Sequence, residues 1–218
     1  LNSGFNHLMR PMMYDSYHHI VNISNPEGEE KMYNIVGNIC ETDTFASDRW
    51  ISKTEEGDVI LGPYAEVMEG SNIRGPFVLG ENSQLRMGSN VYGPTSIGKH
   101  CKVGGELSNV VIHDYTNKAH GGFLGNSVIG SWCNLGAETS ASNLKNTYGE
   151  IKIYSSELKK HINSGRIFCG LLMGDHSKTA IHTAFDTATV VGSFCNIFGS
   201  NTPPKHIPSF SWGGSEGI

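Results

Sequence analysis

His120 is the residue of this chain whose type and surroundings are best suited to acid–base chemistry. It lies in the stretch "NKAHGG" at residues 117–122, among small residues. An imidazole titrates near neutral pH, so it can take a proton from an ammonium group and leave the nitrogen able to attack a thioester. An acyl transfer of this kind needs no covalent nucleophile. The alternative is a surface histidine at a corner of the chain, because most isolated histidines have no catalytic role.

Apolar residues recur every six positions in the segment that precedes this histidine. They are Leu61, Val67, Ile73, Leu79, Leu85, Val91, Ile97 and Val103. Four positions after the first seven of them the chain carries Ala65, Ser71, Phe77, Ser83, Ser89, Thr95 and Cys101, all small except Phe77. A period of six is too long for a helix and fits a parallel β-helix, in which each hexapeptide forms one short strand and one corner. The sequence therefore predicts an all-β fold in which His120 lies at a corner.

The six-residue period is interrupted once and then resumes. Ile129 and Leu135 are one period apart, as are Val191 and Ile197. Residues 139–168 between these pairs are polar and out of phase. We expect a loop that leaves the β-helix and covers the site over residues 139–166, because long excursions from a regular scaffold often carry function.

Composition and charge exclude some classes of partner. The net charge is −5, from 16 basic and 21 acidic residues without a basic block, so we expect neither nucleic acid nor membrane as a partner. No apolar run approaches ~18 residues, and the first ten residues lack an apolar signal core. The five cysteines are odd in number and form no CxxC pair, which favours reduced, buried thiols and a cytoplasmic location.

Residues 117–146, "NKAHGGFLGNSVIGSWCNLGAETSASNLKN", resemble the sugar-nucleotidyltransferase/acetyltransferase family within a similarity that covers residues 61–218. The resemblance implies a left-handed parallel β-helix that forms a homotrimer, with the acyl-CoA site between adjacent prisms. It implies His120 as general base, Asn143 as the residue that positions the amino sugar, and Ala137 in the acetyl-CoA groove. Arg86 takes the place of a phosphate-binding arginine. The expected reaction is transfer of an acetyl group from acetyl-CoA to an amino-sugar phosphate.

Three positions depart from the family pattern. Phe123 and Leu144 replace tyrosines, and Ser108 stands where a phosphate-binding lysine is expected. Since a charged hydrogen bond contributes roughly 1.5–3 kcal/mol, the acceptor is expected to differ from glucosamine-1-phosphate.

Two other functions remain open for the repeat region. One is a non-catalytic, trimerising β-helix of a sugar nucleotidyltransferase. The other is a zinc site of the kind found in gamma-class carbonic anhydrases. The candidate ligands are His113, His120, His176 and His182, but their spacing gives no close pair and favours no metal.

Residues 1–60 resemble the C-terminal β-domain of diaminopimelate decarboxylase, a PLP enzyme. The resemblance lies in "GFNHLMRPMMYDSYHHIVNIS" and "IVGNICETDTFASDR". It implies that Arg10 and Tyr14 bind substrate carboxylates, and that Cys40 and Glu41 reach a partner subunit's active site. We expect no PLP chemistry, because the barrel domain with the Schiff-base lysine is absent from the sequence. The chain thus divides into residues 1–60 and 61–218, as a gene fusion, a deletion or an assembly artefact would leave it.

Overall fold

The computed structural model describes residues 21–22, 24–36, 44–53, 57–214 and 217. In these ranges the regular secondary structure is entirely β, which confirms the predicted all-β class. No helix in this part of the chain could span a membrane.

From Val59 onward, short strands stack in parallel on three faces of a β-helix. Strands are numbered in chain order. Face I contains β4 (Val59–Leu61), β7 (Phe77–Leu79), β10 (Thr95–Ile97), β13 (Val111–Ile112), β16 (Val128–Ile129), β20 (Leu172–Met173), β23 (Val190–Val191) and β25 (His206–Ile207). Face II contains β5 (Glu66–Val67), β8 (Gln84–Leu85), β11 (Lys102–Val103), β14 (Asn117–Lys118), β21 (Lys178–Thr179), β24 (Asn196–Ile197) and β26 (Trp212–Gly213), with Asn134 bridging β14 and β21. Face III contains β6 (Asn72–Arg74), β9 (Asn90–Tyr92), β12 (Glu106–Ser108), β15 (Phe123–Gly125), β17 (Ser140–Ala141) and β22 (Ala184–Phe185).

The register confirms the hexapeptide period. Leu61 pairs with Leu79 and Leu79 with Ile97, so one coil of three faces takes 18 residues, or three hexapeptides. The predicted apolar residues point inward, and Leu79, Leu85 and Val103 are fully buried. We number the coils by their face I strand, so that β4 begins coil 1 and β7, β10, β13, β16, β20 and β23 begin coils 2 to 7. The hand of the coil stays a prediction.

Small residues at the corner from face I to face II hold successive coils together. The Ser83 hydroxyl donates to the Gly98 carbonyl at 2.7 Å and accepts the Cys101 amide at 2.8 Å. Thr116 makes the same pair of bonds, to Gly130 and Cys133, at 2.7 and 3.0 Å. The cysteines in this column are free thiols. Burial raises the pKa of Cys101 to about 12, so this thiol is inert at neutral pH.

The coils lose their uniform length after Val103. Ile97 pairs with Ile112 and Ile112 with Ile129, which shortens these two coils to 15 and 17 residues. In coil 3 two of the three missing residues fall at the corner from face II to face III, where four positions instead of six separate Val103 from the next inward residue, Leu107. The third is lost between Leu107 and Ile112. The regular period therefore ends at Val103, which is also the last residue of the six-residue series in the sequence.

The interruption predicted at residues 139–168 is a β-hairpin that starts later than expected. Thr139 is buried, and β17 still belongs to face III, so the chain leaves the β-helix only after Asn143. Leu144 then pairs antiparallel with Phe168 at the base of the excursion. Its two strands are β18 (Lys152–Ser155) and β19 (Lys160–Asn163). The Tyr154 ring stacks on His206 of face I at 3.5 Å, so the hairpin extends over face I.

The part of the chain before the β-helix pairs with its first coil. Strand β1 (Val21–Asn22) runs antiparallel to β4, and the Val59 amide donates to the Ser24 hydroxyl at 2.7 Å. Strands β2 (Glu30–Val36) and β3 (Thr44–Ser52) form a separate antiparallel hairpin. The edge of face I at coil 1 is therefore covered by β1, which limits edge-to-edge pairing with other chains.

Candidate functional site

Three of the predicted site residues lie along one edge of the β-helix, where face II turns into face III. Arg86 follows β8, His120 follows β14, and Ala137 lies one coil beyond His120 in the parallel register. Coils are ~4.8 Å apart, so Arg86 and His120 are separated by about 10 Å along this edge. We call this line of residues the II–III edge. Three of the four residues carried over from the resemblance thus share one edge, and Asn143 is the exception.

His120 is exposed at the corner formed by residues 119–122. The Glu138 carboxylate of the next coil lies against this corner, since a Cβ on Gly121 would be 2.2 Å from Glu138 Oε1. The imidazole can therefore reach a ligand outside the β-helix. This is the arrangement that a general base for an ammonium substrate requires.

Lys118 is a residue of this corner that the sequence analysis missed. It occupies the inward position of face II, where other coils carry Leu85, Val103 and Leu135, and its side chain is buried. Its ammonium donates to the carbonyls of Gly104, His120 and Gly121 at 3.0, 2.9 and 3.1 Å. Burial lowers the pKa of Lys118 to about 8, with Glu138 opposing this effect. The signal in the sequence was a lysine six positions after Ile112 and six before Leu124.

Asn143 lies on the opposite border of face III from His120. Its side-chain amide donates to Asn126 Oδ1 at 2.8 Å, one coil earlier. Asn126 is six residues after His120, and a strand rises ~3.3 Å per residue, so roughly 15–20 Å separate the two borders. Within one chain His120 and Asn143 therefore do not contact the same small group.

Face III between these two borders contains a glycine, Gly125, that two side chains cover. Gly125 is its floor, because a Cβ there would lie 2.4 Å from Asn143 Nδ2 and 2.5 Å from Phe123 Cζ. Phe123, one of the departures from the family pattern, thus lies beside Asn143 over the same glycine. A ligand or a neighbouring chain on face III would contact both side chains.

Arg86 is half-buried on the II–III edge. It donates to Gln84 Oε1 at 3.3 Å, which uses one of the five N–H groups of the guanidinium. Other donors stay available for a phosphate, which Arg binds well because its planar fork matches two oxygens.

The predicted loop takes another place than expected. The hairpin that carries β18 and β19 leaves from the border of face III with face I, which is the border opposite His120. Its Tyr154 ring stacks on His206, which is on face I. The prediction that this segment covers the His120 corner is therefore wrong for a single chain, because the strand order directs the excursion away from the II–III edge.

The four histidines considered as zinc ligands are divided between two edges. His113 and His176 lie where face I turns into face II, and His120 and His182 lie on the II–III edge. Among the described residues no group of three or more His, Cys, Asp or Glu side chains is close enough to hold a metal ion. The decarboxylase-like residues Arg10, Tyr14, Cys40 and Glu41 lie outside the described ranges.

Comparison with known proteins assigns the two parts of the chain to different relatives. Residues 1–65 match the family model "Pyridoxal-dependent decarboxylase, C-terminal sheet domain". A diaminopimelate decarboxylase of Methanothermobacter thermautotrophicus is 49% identical over 63 residues, which are 28% of this chain and 14% of that protein. A "Bifunctional protein GlmU" of Methanocaldococcus jannaschii is 33% identical over 104 residues, 48% of this chain and 25% of that protein. The chain resembles two families at once.

This result confirms both resemblances drawn from the sequence. The hexapeptide β-helix together with the similarity to GlmU points to the acyltransferase and nucleotidyltransferase families. The chain spans only 14% and 25% of the length of these two relatives. Among solved structures, a hexapeptide transferase family protein from Anaplasma phagocytophilum superposes with a TM-score of 0.45 and 14% identity, over 66% of this chain and 75% of that one.

Proposed function

We propose that residues 61–218 transfer an acetyl group from acetyl-CoA to the amine of an amino-sugar phosphate. The observation that supports this most directly is the II–III edge, where the register pairs His120 with Ala137 and places Arg86 two coils before His120, in line with Ala119. In this proposal Arg86 binds the phosphate, His120 is the base, and Ala137 lies in the acetyl-CoA groove.

The proposed step balances without a covalent intermediate. The His120 imidazole takes a proton from the ammonium of the sugar, and the neutral nitrogen attacks the thioester carbonyl carbon. The new C–N bond forms as the C–S bond breaks. CoA leaves as a thiolate and takes up the proton from the imidazolium, while the nitrogen releases its second proton to water and becomes the amide N–H. A small side chain at Ala137 favours close approach of the pantetheine arm to the backbone.

The distance between His120 and Asn143 favours a site shared by two chains. Because the two residues lie on opposite borders of face III, Asn143 of a second copy is better placed to bind the same sugar. We therefore include a homotrimer in the proposal, in agreement with the position of the acyl-CoA site in the family that the repeat region resembles. Phe123 lies on the same face and would shape the sugar pocket.

The first experiment is thiol release from acetyl-CoA with a panel of amino-sugar phosphates, using the full chain. His120→Ala is expected to lower kcat by at least about 100-fold, since general base catalysis contributes 10²–10⁴. His100→Ala, an exposed histidine on another edge, is the matched control and should retain activity. Equal rates for wild type and His120→Ala would refute the assignment of the base.

A mixing experiment tests the shared site. His120→Ala and Asn143→Ala chains are each expected to be inactive as homotrimers. Refolded together, they form some trimers in which one interface has both native residues, and part of the activity should return. If no thiol release is found with any acceptor and no CoA binds, the β-helix is a trimerising platform.

A further inference from the structure

Among the described inward residues of face II, Lys118 is the one cation. Counted by register, the inward residues of this face include Leu85, Val103, Lys118 and Leu135, and all of these side chains are buried. Burying an amine is costly unless each of its protons is donated. An apolar side chain of similar size would avoid this cost, so stability alone gives no reason for a lysine at this position.

The ammonium of Lys118 joins two coils at one corner. Its three protons match three carbonyl acceptors, Gly104 in coil 3 and His120 and Gly121 in coil 4, all within 3.1 Å. Two of these carbonyls belong to the corner that carries the His120 side chain. Because they face a buried amine, they would lack a partner if the amine were removed.

This corner differs from the regular corners on the same edge. In coils 1, 2, 5 and 6 the residue with positive φ is the third after the inward residue: Gly70, Gly88, Glu138 and His182. In coil 4 it is the fourth, Gly122, with φ of 105°. In coil 3 it is the second, Gly105, where a Cβ would be 3.0 Å from Lys118 Nζ. In coil 7 it is again the second, Gly199, with φ of 129°. Two of the three irregular corners are the two that Lys118 joins.

We propose that Lys118 is a positioning residue that fixes the 119–122 corner and thereby the direction of the His120 imidazole. Without its three hydrogen bonds, the corner would return to the regular turn, with positive φ at residue 121. That change rotates the peptide groups on both sides of His120 and turns its side chain away from the line of Arg86 and Ala137. The catalytic part of this inference rests on the proposed function, whereas the structural part does not.

The test uses Lys118→Met in the full chain, with Ile197→Met as a matched control. Methionine fits an inward position, and Ile197 is an inward residue of the same face in coil 7. Hydrogen exchange of peptides that cover residues 117–125 should become at least about 10-fold faster in Lys118→Met and stay unchanged in the control. Unchanged exchange in this segment would overturn the proposal, whether or not the chain transfers acetyl groups.

Kinetics separate positioning from a general loss of structure. Lys118→Met should lower kcat at least about 30-fold while KM for acetyl-CoA changes less than about 3-fold. An equal fall in Ile197→Met, or a full kcat in Lys118→Met, would contradict the positioning role. If exchange accelerates as expected but wild type releases no thiol, the proposed function fails and the role of Lys118 in the corner stands.

A second variant covers the case in which Lys118→Met does not fold. Lys118→Gln keeps two donors on a shorter side chain, so it should give exchange rates and kcat between those of wild type and Lys118→Met. Wild-type values for both quantities in Lys118→Gln would count against the proposal.

Discussion

Two edges of the same β-helix differ in how regular their turns are. Where face I turns into face II, every coil from 1 to 7 places a residue with positive φ at the same position, the third after the inward residue, with φ between 53° and 60° up to Phe194. On the II–III edge this position varies from the second to the fourth residue. The first edge repeats one turn, whereas the second changes its turn in coil 7 and in the two coils that Lys118 joins.

The side chains on the first edge explain its uniformity. Six aromatic rings stack in one line along it, with interplanar angles of 1–10° and centroid distances of 4.3–6.0 Å. We call this line the aromatic ladder. Its members are His100, Tyr115, Trp132, His176, Phe194 and Phe210. Stacked rings offset the strain of positive φ for bulky residues, which would otherwise disfavour this turn.

The difference shows that the residues of the two edges serve different purposes. The ladder stacks ring on ring, so the ring faces are already in contact with one another and the edge serves the fold. The II–III edge has irregular turns, glycines at its corners and a buried lysine, Lys118. A repeat protein that departs from its own repeat at one place marks that place as a candidate for function.

The largest effect on stability is expected from breaking the ladder. Trp132→Ala removes two stacking contacts, with Tyr115 and His176, and should destabilise the fold by about 3 kcal/mol. For a chain of this size that lowers Tm by roughly 6–12 °C. Acetyl transfer well below Tm should not change.

Trp132→Phe is the control for this variant, because it keeps a stacked ring and should lose less than half as much. Thermal unfolding followed by circular dichroism measures both. If Trp132→Ala unfolded at the wild-type temperature, the aromatic ladder would contribute nothing to the stability of the fold. The contrast between the two edges would then have no energetic basis.

A smaller effect, with a characteristic pH dependence, is expected at Asp114 on the first edge. Its carboxylate accepts the Lys99 amide at 2.8 Å and lies 3.9 Å from Lys99 Nζ. Burial nevertheless raises the pKa of Asp114 to about 6 from 3.8. A carboxyl group whose pKa is raised on folding stabilises the fold when protonated, and that stability is lost as the pH rises from about 4 to 6.

Asp114→Asn should therefore be more stable than wild type by about 2 kcal/mol at pH 8, and the advantage should nearly vanish at pH 4. Asp175→Asn is a matched control, since exposed Asp175 accepts the Ser131 amide at 2.7 Å in the same column. Urea unfolding at both pH values measures the difference. An advantage of Asp114→Asn that did not depend on pH would show that ionisation is not its cause.

The sequence predicted the regular part of the fold because each inward position faces only the core. Leu61 to Val103 keep one period, so counting in sixes was sufficient. The shortened corner at Gly104 and Gly105 then shifts the phase, and no local signal states how many residues a corner has lost. Trp132 and Tyr115 escaped notice for this reason, since unequal coil lengths hide the constant position that they share.

The candidate site was predicted in part, through resemblance rather than spacing. His120, Arg86 and Ala137 fall on one edge in the structure, but the sequence did not show that Asn143 lies on the opposite border of face III. Lys118 was missed because the search was for apolar residues, and an inward lysine is visible only when its carbonyl partners are known. Contacts between coils decide such a position, and they depend on the register.

The smallest effect is expected when Lys118→Met is compared with wild type at increasing pH. Burial lowers the pKa of Lys118 to about 8 in the folded chain from 10.5, so the folded state loses this proton at lower pH than the unfolded state. Wild type therefore gains stability as the pH rises from 8 towards 10.5, and this gain is lost as the pH falls through 8.

Lys118→Met lacks the titrating group and therefore lacks this gain in stability. Its stability relative to wild type should be within about 1 kcal/mol at pH 7, where removal of a buried charge offsets three carbonyls left without a donor. Between pH 7 and pH 9 it should fall by about 1 kcal/mol relative to wild type, measured by urea unfolding. Ile197→Met should show no such dependence on pH. The same pH dependence in both variants would mean that Lys118 stays fully charged inside the β-helix. Its hydrogen bonds to the three carbonyls would then outweigh the cost of burying its charge.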